Sequence, residues 1–205
     1  MLYGGHNGGL ELRRAGDGTT RLRGRFPYGA TAVLSDGGRT GRPRKERIAS
    51  RAFSYRVERP EEDIHLLIGH SYDRPLASRS AKTLTLEDSD DALAFEAIIS
   101  PEMSEVSYVR DALAGIAAGL TIGLSPGFRI PPERAVPNAE TIEEEDPAEG
   151  LAIIRTITAA LLYELSIVTR PAYDEAQVEA RNWTPDYTPQ MFLSSNRRRS
   201  ALRWR

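Results

Sequence analysis

Gly119-Leu120-Thr121-Ile122-Gly123-Leu124-Ser125-Pro126-Gly127-Phe128 is the stretch around which this chain is arranged. Upstream of it, Val106, Val109, Leu113 and Ile116 recur at helical spacing and form the apolar stripe of an amphipathic helix. Glu102 and Glu105 favour the N-terminal end of that helix, while Gly115 weakens it and Gly119 ends it. Apolar chain then runs on to Leu124, and Ser125 is expected at a bend made by Pro126 and Gly127. A hydroxyl held at a corner between two ordered elements is useful as a nucleophile. Serine before Pro-Gly is also ordinary turn composition, so this stretch needs company to mean chemistry.

Working outward, Ile64-His65-Leu66-Leu67-Ile68-Gly69-His70-Ser71-Tyr72-Asp73-Arg74-Pro75-Leu76 has a short apolar centre bounded by Gly and Pro, a buried strand running into a turn. His65 and His70 are separated by an odd number of positions and point oppositely if the strand persists to His70. Ser80 to Glu87 and Ala92 to Ser100 read as a strand pair around Asp88-Ser89-Asp90-Asp91. Leu151 to Thr169 is rich in β-branched and apolar residues and reads as one or two buried strands. One acid, Glu164, stands inside that run. A buried carboxylate needs a partner, which is either a structural arginine such as Arg129 or Arg155, water at an edge, or a functional group.

The remaining segments are plainer. Residues 1 to 20 are glycine-rich and polar, and are expected to be flexible. Leu22 to Leu34, interrupted by Pro27 and Gly29, suggests a bent or bulged strand pair. Arg39 to Lys45 is a basic loop, and Pro131 to Gly150, with the acidic run Glu143-Glu144-Glu145-Asp146, is an exposed excursion between strands. From Asn182 the chain is polar and ends in Arg197-Arg198-Arg199 and Arg203-Trp204-Arg205, a flexible basic tail.

The 205 residues and 40% hydrophobic content suit one domain with tails, and the formal net charge of -2 gives no reason to expect nucleic acid or an anionic membrane as partner. With no cysteine, disulfides, thiol nucleophiles and cysteine zinc sites are excluded, which points to an intracellular protein. Three histidines, two of them on opposed faces, make a poor metal ligand set. No run approaches a membrane span and the start has no export pattern, so no membrane role, cofactor or metal is expected.

Three features fall in chain order: Leu66-Leu67-Ile68-Gly69-His70 with Asp73 and Pro75-Leu76 following, then Leu124-Ser125-Pro126-Gly127-Phe128, then Glu164-Leu165-Ser166-Ile167-Val168-Thr169-Arg170-Pro171-Ala172-Tyr173. In this order and spacing the chain resembles the prohead maturation proteases of tailed phages, serine peptidases similar to the herpesvirus capsid assembly proteases. Glu46-Arg47-Ile48 with Ala52-Phe53 also resembles that family's approach to its first motif, and the likeness extends from about Leu22 to Val178. Two departures stand out. Ser71 occupies the place where many relatives have Asp, so Asp73 is given no role, and the acidic excursion looks like a variable insertion.

The resemblance implies Ser125 as nucleophile, His70 as general base and Glu164 as the acid that orients the imidazole. Herpesvirus relatives use a second histidine as third member, which makes His65 the rival to Glu164. Pro126 has no N–H, so the residue after the nucleophile cannot donate to an oxyanion. The implied fold is mainly β with helices, an α+β protein built as a herpesvirus-protease-like antiparallel β-barrel with flanking helices. The implied organisation is a flexible segment over 1–20, a protease domain over 21–180 and a basic tail over 181–205. Implied substrates are the major capsid protein, the scaffold and the chain itself by autocleavage, with a homo-oligomer as a further implied partner, inside the prohead in the host cytoplasm or, if prophage-encoded, in the cytoplasm. A non-catalytic internal scaffold of the same fold is the alternative.

Overall fold

The structure is a computed structural model that describes residues 3–4, 10–121 and 123–169. In chain order its strands are β1 (Tyr3–Gly4), β2 (Glu11–Arg14), β3 (Thr20–Pro27), β4 (Thr31–Ser35) and β5 (Arg44–Ile48), followed by the short helix α1 (Ser54–Val57). Next come β6 (His65–Ile68), β7 (Ser71–Ser78), β8 (Leu84–Asp88) and β9 (Ala92–Ile99), then helices α2 (Pro101–Ser104) and α3 (Ser107–Ala117). The described chain finishes with β10 (Gly123–Arg129), β11 (Glu140–Glu144), β12 (Ile153–Ile157) and β13 (Leu161–Val168). The protein is mainly β with a minority of helix.

The strands form three sheets, ordered β1-β2-β3-β9-β8, β10-β13-β6-β7 and β11-β12-β5-β4. None of them closes, so the single antiparallel barrel expected from the resemblance is not what the described residues form. Most pairings are antiparallel, but β13 with β6 and β12 with β5 run parallel. One apolar core joins the three sheets through Leu22, Phe26 and Phe95, through Ile48 and Ile157, and through Leu66, Leu124 and Leu165. Alternation makes this possible: β3 buries Thr20, Leu22, Gly24 and Phe26 while Arg21, Arg23 and Arg25 face solvent.

Several expectations hold. The pair around residues 88–91 is β8 with β9, and Leu151 to Thr169 yields two strands, β12 and β13. Helix α3 buries Val109, Leu113 and Ile116 and is tied to β7 by the Tyr108 hydroxyl, which donates to the Pro75 carbonyl at 2.8 Å. Val106 caps this helix instead of joining its buried stripe.

Others are corrected. Leu22 to Leu34 is not a strand pair: β3 joins the first sheet and β4 the third, because the break at Tyr28 to Ala30 turns the chain from one to the other. Part of the stretch 1–20 is built into the sheet, with β2 paired to β3 and Leu10 and Leu12 in the core. The excursion 131–150 contains β11, whose acids meet cations: Glu140 shares Arg155 with Glu46 of β5, and Glu144 binds Arg42 at 2.8 Å. Lys45 pairs with Glu145. The basic loop and the acidic run are thus each other's counterions. Ser125 does not stand at a bend but inside β10, which lies at a sheet edge where a proline nitrogen can face away from the ladder. The tail 181–205 and Arg170-Pro171-Ala172-Tyr173 lie outside the described residues.

Candidate active site

β6 ends at Ile68, and Ile68 pairs with Ser71 across the two-residue link Gly69-His70. Both link residues have positive φ, 60° and 61°, as in the type I′ turn that suits the twist of a tight hairpin. Glycine adopts this conformation freely, but for histidine it is uncommon and needs support from its surroundings. Support comes from β13: the His70 backbone N–H donates to Ser166 Oγ at 2.9 Å, and the ring Nδ1 lies 2.7 Å from Glu164 Oε1. The strand does not persist to His70, so the face-alternation argument that set His65 and His70 apart does not apply. The turn itself brings the imidazole to the β13 side.

Glu164 is only 6% exposed in its side chain, whereas that of His70 is 48% exposed. The second carboxylate oxygen is also engaged, since Ser166 Oγ donates to Glu164 Oε2 at 2.7 Å. The expected partner of the buried acid is therefore His70 with Ser166, not Arg129 or Arg155. Two local features give the carboxylate its place. The β10–β13 register pairs Gly127 with Glu164 and Phe128 with Leu162, so Tyr163 is an extra residue that bulges β13 just before Glu164. A side chain on Gly127 would sit 1.9 Å from Glu164 Oε1 and 2.6 Å from its Cδ. The carboxylate thus lies across the bare backbone of Gly127.

Ser125 lies opposite Ser166 in the antiparallel ladder. Directly opposed residues project to one face, and Glu164 shares that face two positions away. Ser125 is partly buried, and among the described residues its hydroxyl makes no hydrogen bond. Same-face neighbours along a strand are about 7 Å apart, so Ser125 stands one such step from Gly127 and the carboxylate above it. Phe128, two residues further on than Pro126, packs on Phe53 with ring centroids 5.7 Å apart, which anchors β10 to the core.

His65 is the register partner of Glu164 on β6 but is not joined to the His70 pair. Its Nε2 lies 3.5 Å from Asp63 Oδ2 and its ring meets Tyr72 edge-on at 5.6 Å. Partial desolvation, followed by the negative charge of Glu164, holds the Tyr72 phenol above its ordinary value. Tyr163, the bulged residue, carries the Arg56 guanidinium 4.2 Å and the Arg129 guanidinium 5.4 Å from its ring centroid. Among the described residues no group of three or more His, Asp or Glu is close enough to hold a metal ion.

The reading from residue types missed Ser166 and the role of Gly127. Ser166 sits two places after Glu164 in an otherwise apolar strand, and that same-face spacing is the signal that could have found it. Composition marks Gly127 only as a turn former, because close approach of a side chain from another strand leaves no local mark.

The family model described as caudovirus prohead serine protease matches residues 35–190, most of the chain and all three motifs. No curated protein and no solved structure gives a significant match. This chain belongs to the caudovirus prohead serine protease family.

Proposed function

We propose that the chain is a serine endopeptidase of prohead maturation, with Ser125 as nucleophile, His70 as general base and Glu164 as the orienting acid. The observation that carries this reading is the 2.7 Å bond between His70 Nδ1 and the buried Glu164 carboxylate. An ionised carboxylate only accepts, so Nδ1 carries the ring proton and Nε2 is the nitrogen left with a lone pair. Nε2 takes the proton of Ser125 as Oγ attacks a peptide carbonyl carbon, giving a tetrahedral oxyanion and an imidazolium that Glu164 stabilises. The C–N bond then breaks as the imidazolium returns that proton to the leaving amine. Water, deprotonated by the same nitrogen, attacks the acyl-enzyme, and the proton passes back to Ser125 Oγ as the ester breaks.

The partly exposed imidazole supports a solvent-accessible reaction centre, and the single face shared by Ser125, Glu164 and Ser166 supports their joint action. Substrates are capsid proteins of the phage: the N-terminal segment of the major capsid protein, the scaffold and the chain itself. Co-packaging in the prohead confines the reaction. Within this reading residues 21–180 form the protease domain and 181–205 a tail that is either a tether or a self-cleavage product.

The test is co-expression of the chain with its cognate major capsid protein, wild type against Ser125→Ala, following both products by intact mass. The expected result is loss of capsid protein processing and of any self-trimming in the variant. Unchanged processing by Ser125→Ala would overturn the peptidase assignment in favour of a non-catalytic internal scaffold.

A further inference from the structure

We propose that Ser166 is a positioning residue that holds both halves of the His70–Glu164 pair with one hydroxyl, and that it is not an alternative nucleophile. The inference rests on the peptidase reading for its consequence, though not for its geometry. Ser166 is completely buried. Its oxygen accepts the His70 backbone N–H at 2.9 Å, and its proton is donated to Glu164 Oε2 at 2.7 Å. A serine hydroxyl has one proton to give, and that proton is committed to a carboxylate. Ser125, directly across the ladder, has no such commitment among the described residues. Of the two serines paired across the ladder, one hydroxyl holds the His70–Glu164 pair and the other is left uncommitted among the described residues.

The hydroxyl does two separate jobs. On the His70 side it satisfies an amide that the left-handed turn turns inward, and so fixes where the ring starts. On the Glu164 side it occupies Oε2, which leaves Oε1 as the oxygen directed at Nδ1. Removing it leaves a partly buried N–H and a buried carboxylate oxygen each one partner short. The carboxylate can then turn away from the imidazole, and the ring loses the bond that selects its tautomer.

The test uses the full chain labelled with 15N and its cognate capsid protein as substrate. In the wild-type chain, NMR should show a slowly exchanging Ser166 hydroxyl proton with a cross-peak to the His70 amide, and a neutral imidazole protonated at Nδ1. Ser166→Ala should lose the predominance of that tautomer and lower the turnover rate about 10- to 100-fold, with KM nearly unchanged, as part of the about 10²- to 10⁴-fold that a general base contributes. Ser166→Thr, which restores a hydroxyl at a strand position, should recover most of both. A wild-type hydroxyl proton that exchanges freely, without contact to the His70 amide, overturns the proposal even if Ser166→Ala does not fold. So does a folded Ser166→Ala with wild-type turnover and tautomer while Ser125→Ala is inactive, an outcome that leaves the peptidase reading standing. If Ser125→Ala is fully active the peptidase reading falls, and the hydroxyl and tautomer spectra still decide whether Ser166 holds the pair.

Discussion

Replacing Gly127 with alanine adds a single carbon at the place where the Glu164 carboxylate crosses β10. That carbon would lie 1.9 Å from Oε1, 2.6 Å from Cδ and 2.8 Å from Cγ of Glu164. Restoring ordinary van der Waals separation requires Oε1 to retreat by about 1.5 Å. A solvated glutamate would make that move at little cost, but here each oxygen is held by a bond of 2.7 Å, one to His70 and one to Ser166. A displacement of this size breaks or badly lengthens both. Bonds to a charged group are worth about 1.5–3 kcal/mol each, so the expected loss is about 2 kcal/mol if relaxation saves roughly half. At about 2–4 °C per kcal/mol for a domain of this size, the melting temperature should fall by about 4–8 °C. Misplacing a catalytic group by about 1 Å costs roughly a hundredfold in rate, and capsid protein processing should drop accordingly.

The informative assay is a double-mutant cycle. With Glu164→Ala already in place the added carbon at residue 127 has no carboxylate to displace, so Gly127→Ala should then cost little. The coupling between the two positions should exceed about 1 kcal/mol in thermal or denaturant unfolding. Additive effects, or a Gly127→Ala chain with wild-type stability and processing, would refute the reasoning that Gly127 is bare to make room for Glu164.

Two further outcomes follow from the same structure. His70→Asn keeps a residue type that tolerates the left-handed conformation of the hairpin, so the chain should still fold, with its unfolding free energy lowered by about 1.5–3 kcal/mol through the lost bond to Glu164, while processing is lost; a processing-competent His70→Asn would remove His70 from the chemistry. Glu96 is held below the ordinary carboxylate range by its bond to Arg23, against a smaller opposing effect of burial and with help from Arg21. A depressed folded-state value means the associated stability is present above the ordinary Glu value and is lost as pH falls through the folded one. Glu96→Gln should therefore destabilise the chain at neutral pH and flatten the acid side of its stability curve, checked by melting temperature against pH, with equal wild-type and variant slopes counting against it.

The order of the three motifs, the amphipathic helix, the β8–β9 pair and the apolar run that becomes β12 and β13 were all readable from residue types, because hydrophobic periodicity and turn composition are local properties. So was the oddity of Glu164, since an acid in an apolar strand must find a partner. Which partner was not readable, because it depends on register between segments almost a hundred residues apart: His70 meets Glu164 and Ser166 only once β6 lies parallel to β13. The same holds for Ser125, whose Pro-Gly neighbours suggested a bend but sit in an edge strand once β13 supplies the ladder.

The charge runs teach a similar lesson, as the basic loop and the acidic excursion each looked solvated alone and proved complementary across strands β5, β11 and β12. Composition and local pattern determined what each segment could be and named the residues able to do chemistry. Tertiary pairing decided which of them touch, because hydrogen-bond register and the space left by one missing Cβ at Gly127 are properties of two strands together and of neither alone.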